Sequence, residues 1–167
     1  MKYFRIKQWK RFGDFYYPKF EYYENVFWKN EIAYYKSFDN KKICHDGFLP
    51  FIERPTFIIK SEIKYIFELF QPKSRFYNIS YGNAELSIVE NAFIFKPISI
   101  DCLDESSKFL KNGMIKEIIL NESKISSQSV FKINNIIENI LIVNLLVLEL
   151  ILSSNIFLIE FEELKTV

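Results

Sequence analysis

Cys44, His45 and Asp46 form the most reactive group of side chains in the sequence, because they offer a thiol, the chain's single imidazole and a carboxylate at consecutive positions. Nucleophilic catalysis needs a cysteine and a histidine in contact, whereas neighbouring side chains of an extended segment point to opposite sides. The dipeptide Asp46-Gly47 is typical of a turn. We therefore interpret this group as a turn, and a small Cys/His hydrolase is the weakest functional alternative.

A second group consists of the carboxylates Asp101, Asp104 and Glu105. Hard divalent cations prefer several oxygen ligands, but no glycine-bearing loop of the calcium type surrounds these residues. The two serines that follow favour local hydrogen bonds to the backbone. Zinc is disfavoured by two distant cysteines, Cys44 and Cys102, and one histidine. Because the sequence also has no phosphate-binding glycine loop, we expect neither a metal nor a cofactor.

The N-terminal third of the chain is crowded with aromatic residues that alternate with Lys, Glu and Asn. Such rings are typical of a protein-binding surface, since Tyr and Trp supply large, rigid contact areas. They are equally typical of a hydrophobic core, and the sequence leaves both interpretations open. The candidates for partner binding are the rings that have charged or amide neighbours: Trp9, Tyr22, Tyr23, Trp28, Tyr34 and Tyr35.

Length and composition favour a single globular domain over residues 1–167, with an aromatic-rich part at 1–55 and a core at 56–164. Hydrophobic residues make up 49% of the chain, which excludes a disordered composition. The 22 basic and 21 acidic residues give a net charge of +1, so nucleic acid is not the expected ligand. Two cysteines and the absence of an apolar stretch in residues 1–7 predict a reduced, cytoplasmic protein.

Two segments share the pattern of strand, polar cap, helix and return strand. The first covers 56–80, with Ser61 as the expected helix cap, and the second covers 140–161, with Asn144 in that role. Serine and asparagine accept hydrogen bonds from the free N–H groups of a first helical turn. The apolar stretch at 136–152 is interrupted by Glu138 and Glu149, so we expect a buried strand and helix rather than a membrane span.

The remaining segments indicate strands and turns. Alternating residues at 2–8 predict a half-buried strand at a sheet edge or flank, and 48–52 predicts a connection packed on the core. Breaks at 82–83 and 90–91 predict three short strands in a meander, which Pro97 ends. Further strands are expected at 114–120, 130–133 and 156–159. The predicted fold class is α+β, with a mixed, largely antiparallel sheet, a few packed helices and the two strand-cap-helix-strand units.

The residues of 41–164 resemble the polymorphic-toxin immunity proteins of family eleven, first described as a domain of unknown function. The resemblance rests on 56–70, IDCLDESS at 100–107, VFKI at 130–133, and 140–161 with its ending IEFEEL at 159–164. It implies that Asp101 and Asp104 anchor the fold. The family pattern has a glycine between the last helix and the final strand, where this chain has Asn155. Asparagine tolerates a left-handed φ, so a cap at the end of the helix is compatible with it.

What the resemblance implies is a small cytoplasmic protein that binds a cognate protein toxin and protects the cell that makes it. It would be a binding protein and not an enzyme. The alternatives are a non-enzymatic interaction adaptor or a phage-encoded binding module that uses the same kind of surface. The sequence does not determine the toxin's chemistry, the interface or the oligomeric state.

Overall fold

The structure is a computed structural model that describes residues 1–11, 13–16, 32–34, 46–83, 87–125 and 127–167. Two α-helices lie in these ranges, α1 at Ser61–Phe70 and α2 at Leu145–Ser153, together with one 3₁₀ turn at Glu122–Lys124. The strands in chain order are β1 Tyr3–Gln8, β2 Phe15–Tyr16, β3 Ile32–Tyr34, β4 Gly47–Phe48, β5 Phe51–Ile52, β6 Phe57–Ile59, β7 Arg75–Asn83, β8 Ile88–Lys96, β9 Ser99–Ile100, β10 Lys108–Phe109, β11 Ile115–Glu117, β12 Ile119–Leu120, β13 Val130–Ile133, β14 Leu141–Asn144 and β15 Ile159–Thr166.

The strands form two main sheets. The six-stranded sheet has the order β12-β15-β1-β14-β13-β9, and the five-stranded sheet has the order β3-β7-β8-β6-β5. The long pairings in both sheets are antiparallel, while β9, β12 and β3 add short parallel pairings at the edges. Two smaller pairs, β2-β4 and β10-β11, lie outside the main sheets. The predicted α+β class with mixed, largely antiparallel sheets is confirmed.

Both predicted strand-helix-strand units are present, one in each main sheet. Strands β6 and β7 are each antiparallel to β8, which lies between them, so β6 and β7 run parallel and α1 connects them. Strands β14 and β15 flank β1 in the same way and are connected by α2. The chain therefore uses one split β-α-β arrangement twice. In the first unit the strand between the two parallel strands is β8, which follows the unit in sequence. In the second unit it is β1, from the start of the chain.

One hydrophobic cluster, which we call the central cluster, joins the two units. Both helices contribute to it, through Ile63 and Phe67 of α1 and through Val147 and Ile151 of α2. Alternate strand residues from both main sheets complete it, including Ile6, Leu141, Val143, Phe57, Ile59 and Phe95. The opposite faces of the two sheets have clusters of their own. Each main sheet is therefore covered on both faces.

The prediction that β1 lies at a sheet edge or flank is wrong, because β1 pairs with β14 on one side and with β15 on the other. The alternation of charged and apolar residues in β1 suggested a strand with one face exposed to solvent. In the structure Tyr3 is buried on one face and Ile6 on the other. Arg5 and Lys7, the charged residues of β1, form ion pairs with Glu53 and Glu162. Side chains of distant segments thus provide the partners that water would otherwise provide.

The predicted breaks at 82–83 and 90–91 are also wrong. Strands β7 and β8 are paired continuously over nine positions, from Arg75 opposite Lys96 to Asn83 opposite Ile88. Ser80 donates a hydrogen bond to Asn91 across this ladder at 2.6 Å. A long ladder outweighs the turn tendency of single Gly and Asn residues, so one long hairpin replaces the expected meander. As predicted, the hairpin ends immediately before Pro97.

The two predicted helix caps have different outcomes. Asn144 is confirmed, since its side-chain oxygen accepts a hydrogen bond from the Val147 N–H at 3.0 Å. Ser61 is wrong, because it is the first residue of α1 and its hydroxyl contacts Glu62 instead. The capping position belongs to Lys60, whose N–H is held by the Pro50 carbonyl at 3.0 Å. The edge of the β5-β6 ladder thus fixes where α1 begins.

Several smaller expectations are settled at segment ends. Asn155 follows α2 with a φ of 54°, the left-handed conformation that asparagine tolerates. The last strand begins at Ile159 and not at 156, because Leu158 also has a left-handed φ, of 64°. The strand expected at 114–120 is divided into β11 and β12. The segment at 48–52 packs on the core as predicted, with Leu49 and Phe51 buried.

Candidate protein-binding surface

The predicted partner-binding rings are only partly within the described residues. Trp9 is half-buried and packs against the cluster on the outer face of the five-stranded sheet. Tyr34 belongs to β3, where its backbone pairs with Ser80. The other four candidates, Tyr22, Tyr23, Trp28 and Tyr35, lie outside the described residues. A binding role for this set of rings stays a prediction.

The group at 44–46 is represented by Asp46 alone, since Cys44 and His45 lie outside the described residues. Asp46 donates its backbone N–H to the Asp14 carbonyl at 3.2 Å, and its carboxylate accepts the Asp14 N–H at 2.5 Å. Both bonds join Asp46 to the segment that precedes β2. Asp46 therefore holds two segments of backbone together.

The three carboxylates at 101–105 do not converge on a common point. The Asp104 carboxylate accepts hydrogen bonds from the backbone N–H and the hydroxyl of Ser106, and these bonds lower the pKa of Asp104. Asp101 accepts one from Asn135 at 3.1 Å, and Glu105 is exposed. In the described part of the chain, no three His, Cys, Asp or Glu side chains are placed to hold a metal ion together. The local hydrogen bonding predicted for this group is found at Asp104, whereas Asp101 contacts the side chain of a distant residue.

Cys102 lies next to these carboxylates but points into the core. Its side chain is fully buried, and burial raises the pKa of the thiol to about 11. A thiol is a poor nucleophile at neutral pH when its pKa is raised, because the thiolate is the reactive form. Cys102 is therefore a packing residue of the hydrophobic cluster on the outer face of the six-stranded sheet, which also contains Tyr3 and Phe131.

A half-open cleft of about 260 Å³ lies along the six-stranded sheet, between β15 and the segment 115–118. Its charged lining includes Arg5, Glu117, Glu162 and Lys165. Most of these charges are already paired: Arg5 with Glu53 at 3.0 Å, and Glu117 with Lys165 at 2.7 Å. Because the charged groups of this cleft already have partners, few of them remain to bind a charged ligand.

The most distinctive surface of the described structure lies on the two helices. Helix α2 has the sequence LLVLELILS, in which Glu149 is the only charge. A helix that is apolar all round is normally buried on every side. Here one side packs into the central cluster, and the other side is open to solvent. We define the helix surface as the exposed apolar residues of both helices: Tyr65 and Leu69 of α1 and Leu145, Leu146 and Leu152 of α2.

The exposure of these side chains is large. Leu69 is 72% exposed, Tyr65 is 68% exposed, and Leu146 and Leu152 are about equally exposed, at 54% and 55%. Isolated exposed leucines are common on proteins, but a group of them on two helices in contact is typical of an interaction site. The helices do contact each other. The helix surface therefore has the character of a protein-binding surface.

The ends of the helices are held together by the segment 128–130. Gln71, directly after α1, donates a hydrogen bond to the Val130 carbonyl at 3.3 Å. Asn144, directly before α2, donates one from its backbone to the Ser129 carbonyl and one from its side chain to the Ser129 hydroxyl, both at 3.0 Å. Gln71 and Asn144 are both buried. These bonds place the end of α1 beside the start of α2 and fix Leu69 relative to Leu145.

Lys64 positions the ring of Tyr65. The Lys64 ammonium lies 5.4 Å from the centre of that ring and forms an ion pair with Glu68 at 2.5 Å. It also lies over the rings of Phe76 and Phe93, at 5.4 and 5.1 Å. The Glu68 carboxylate compensates the charge of Lys64, and the three ring faces hold its ammonium group in place. Lys64 therefore orders the helix surface without making it positively charged.

Sequence reasoning missed the helix surface because it treated α2 as an ordinary amphipathic helix. The signal was present in the composition of 145–152, where apolar residues occupy every side of the helix and leucine occupies the side opposite Val147 and Ile151. A single helix packed on a sheet can bury only one side. The excess of leucine on the remaining side therefore required either a second covering layer or a partner.

No helix among the described residues is both long enough and apolar enough to cross a membrane. Comparison with protein-family models and with curated proteins finds no match to this chain.

Proposed function

We propose that this protein is a cytoplasmic immunity protein, which binds a cognate toxin of a bacterial polymorphic toxin system and neutralises it. The helix surface carries the proposal, since it offers a partner a group of exposed apolar side chains on a rigid two-helix scaffold. The resemblance of 41–164 to immunity family eleven supports the same function. The proposed action is binding without turnover.

The need to neutralise a toxin sets a lower limit on the affinity of the protein for it. A toxin that is an enzyme does damage through turnover, so an inhibitor must hold nearly every copy of it. Nanomolar affinity corresponds to about −12 kcal/mol. In protein interfaces a few residues, each worth about 2 kcal/mol or more, supply most of such a total. The exposed leucines and Tyr65 of the helix surface are of the apolar type that fills the centre of an interface.

The direct test is coexpression of the chain with the toxin encoded beside its gene. We expect the wild type to restore growth and to copurify with that toxin in a one-to-one complex. If it does neither, the proposed function is wrong. Copurification with a different protein, and no rescue, would favour an interaction adaptor. A measurable turnover that is lost in His45→Ala would favour the hydrolase.

Substitutions then locate the interface. The double variant Leu69→Ser, Leu146→Ser removes two exposed side chains of the helix surface. The matched control is Leu110→Ser, since Leu110 is 46% exposed but follows β10, away from the helices. We expect the double variant to fold and to lose rescue, and the control to keep it. The variants Trp28→Ala and Tyr35→Ala test in the same assay whether the predicted N-terminal rings also contribute.

A further inference from the structure

The charges on the exposed sides of the two helices are all of one sign. Glu62 of α1 and Glu149 of α2 are both exposed, and neither has an ion-pair partner among the described residues. The lysine of α1, Lys64, is held by Glu68 and by three aromatic rings, and its side chain is only 18% exposed. The last turn of each helix is without a basic residue. By helical spacing, Glu62 lies on the same side of α1 as Tyr65 and Leu69, and Glu149 lies on the same side of α2 as the exposed leucines. The helix surface therefore carries two unpaired carboxylates among its apolar side chains.

We propose that the partner of the helix surface is a toxin face that combines apolar side chains with Lys or Arg side chains. This inference rests on the proposed function and adds the chemistry of the partner to it. Interfaces bury apolar groups at the centre and place charged groups of opposite sign at the rim. Unpaired carboxylates beside exposed leucines favour cationic side chains on the partner, because acidic side chains there would place like charges together.

A second copy of this chain fits the helix surface less well. In a symmetric dimer the same patch lies on both sides of the contact, so each copy would bring the same two carboxylates to one interface. Burying like charges without partners is unfavourable. The carboxylates thus act against self-association and in favour of a cationic partner.

This arrangement has a kinetic consequence. Charges at an interface rim accelerate association by steering the encounter, and they affect dissociation less. Salt screens such steering, with a Debye length of about 10 Å at 0.1 M ionic strength. The association rate constant should therefore fall as salt is added, and it should fall when Glu62 or Glu149 is replaced by a lysine.

The test measures association of the toxin with wild type, Glu149→Lys and Glu62→Lys by stopped-flow fluorescence at low and high salt. The matched control is Glu105→Lys, which makes the same charge change at an exposed position of the 101–107 segment. We expect Glu149→Lys and Glu62→Lys each to lower the association rate constant about tenfold at low salt. We expect Glu105→Lys to change it less than twofold. The two helix variants report independently, so a folding defect in one leaves the other as the test.

The outcomes separate this inference from the proposed function. If wild type fails to bind the toxin, the proposed function is wrong and this inference with it. If wild type binds, and Glu149→Lys and Glu62→Lys associate as fast as the control, the function stands and the inference of cationic side chains on the partner is wrong. Sedimentation analysis gives a third result: a dimer of wild type that Leu146→Ser dissociates would assign the helix surface to a second copy and overturn the inference.

Discussion

At the scale of single residues, Asn144 joins three segments of the chain. It ends β14, caps α2 through the Val147 N–H, and donates its side-chain amide to the Ser129 hydroxyl. It is also buried, so removal of its side chain leaves hydrogen-bonding groups without partners inside the protein. The strand, the helix and the 128–130 segment are therefore all fixed at one asparagine.

The first prediction compares the two expected caps. We expect Asn144→Ala to lower the free energy of unfolding by about 1–2 kcal/mol, since it removes a helix cap and leaves buried hydrogen-bonding groups without partners. We expect Ser61→Ala to change it by less than about 0.5 kcal/mol, because its hydroxyl does not cap α1. Urea denaturation followed by circular dichroism measures both. Equal losses in the two variants would contradict the structure.

The second prediction concerns Cys102. Burial raises its pKa to about 11, so at pH 8 the thiol is protonated as well as inaccessible. In a Cys44→Ser variant, in which Cys102 is the remaining thiol, we expect reaction with Ellman's reagent only on the timescale of unfolding. Addition of denaturant should make the reaction fast. Rapid and complete reaction of the native protein would show that Cys102 is accessible.

At the scale of elements, the ion pair of Arg5 and Glu53 joins β1 to the segment that follows β5, and so links the two main sheets. The distance is 3.0 Å, and the Glu53 side chain is 4% exposed. Gln8 adds a second link, since its side chain accepts the Glu53 N–H at 3.1 Å. Buried pairs of this kind are costly to break on one side only, because the remaining charge has no partner.

The third prediction follows from that asymmetry. We expect Arg5→Met to lower the free energy of unfolding by about 3–5 kcal/mol, since Glu53 is left as a buried, unpaired carboxylate. The double variant Arg5→Met, Glu53→Leu should recover part of the loss, because no charge then remains buried. Chemical denaturation of the two single variants and the double variant gives the coupling energy. Additive losses would show that the pair does not couple the elements.

The fourth prediction concerns Glu117 of β11, which pairs with Lys108 of β10 and Lys165 of β15, each at 2.7 Å. Hydrogen bonds and charge from these lysines lower the pKa of Glu117 to about 2 from its usual value of 4.5. A lowered pKa in the folded state means that the pairing stabilises the protein above pH 4.5. This stabilisation is lost as the pH falls from 4.5 towards 2.

Comparison of wild type with Glu117→Gln tests that dependence. We expect the melting temperature of wild type to exceed that of the variant at pH 7, and the difference to disappear near pH 2. Because both lysines are largely exposed, 1 M salt should also reduce the difference at pH 7. A difference that persists at pH 2 would assign the effect to packing and not to charge.

At the scale of the whole molecule, the central cluster makes the two split units interdependent. Phe67 of α1 is fully buried and packs against Phe95 of β8, with ring centres 5.0 Å apart and the rings tilted by 38°. The same cluster includes Val147 and Ile151 of α2 and Val143 of β14. Neither helix can leave its position without exposing apolar side chains of the other unit. We therefore expect the molecule to unfold as one cooperative body.

The fifth prediction tests this cooperativity. We expect Phe67→Ala to lower the free energy of unfolding by about 3–5 kcal/mol. In a Trp28→Phe background, fluorescence then reports on Trp9, which packs on the outer face of the five-stranded sheet. The fluorescence transition should coincide with the circular dichroism transition, both before and after Phe67→Ala. Two separate transitions would show that the units unfold independently.

The sequence by itself determined the features that depend on neighbouring residues. The period-two segment at 2–8 predicted β1, and the residues at 130–133 predicted β13. The apolar segment before Asn144 predicted β14 and the start of α2. The asparagine cap, the left-handed Asn155 and the end of the ladder at Pro97 follow from the chemistry of single side chains. The use of one unit twice was visible because each copy repeats that local order. The α+β class follows from these elements.

Only the tertiary structure decided the features that depend on distant partners. β1 lies inside its sheet because residues 141–144 and 159–164 pair with its two edges. Glu90 and Asn91 are in a strand because Tyr81 and Ser80 face them across the hairpin. The helix surface exists because the central cluster covers one side of α2 and leaves Leu146 and Leu152 outside it. Periodicity shows which residues can share a face, but burial depends on what that face meets in the folded chain.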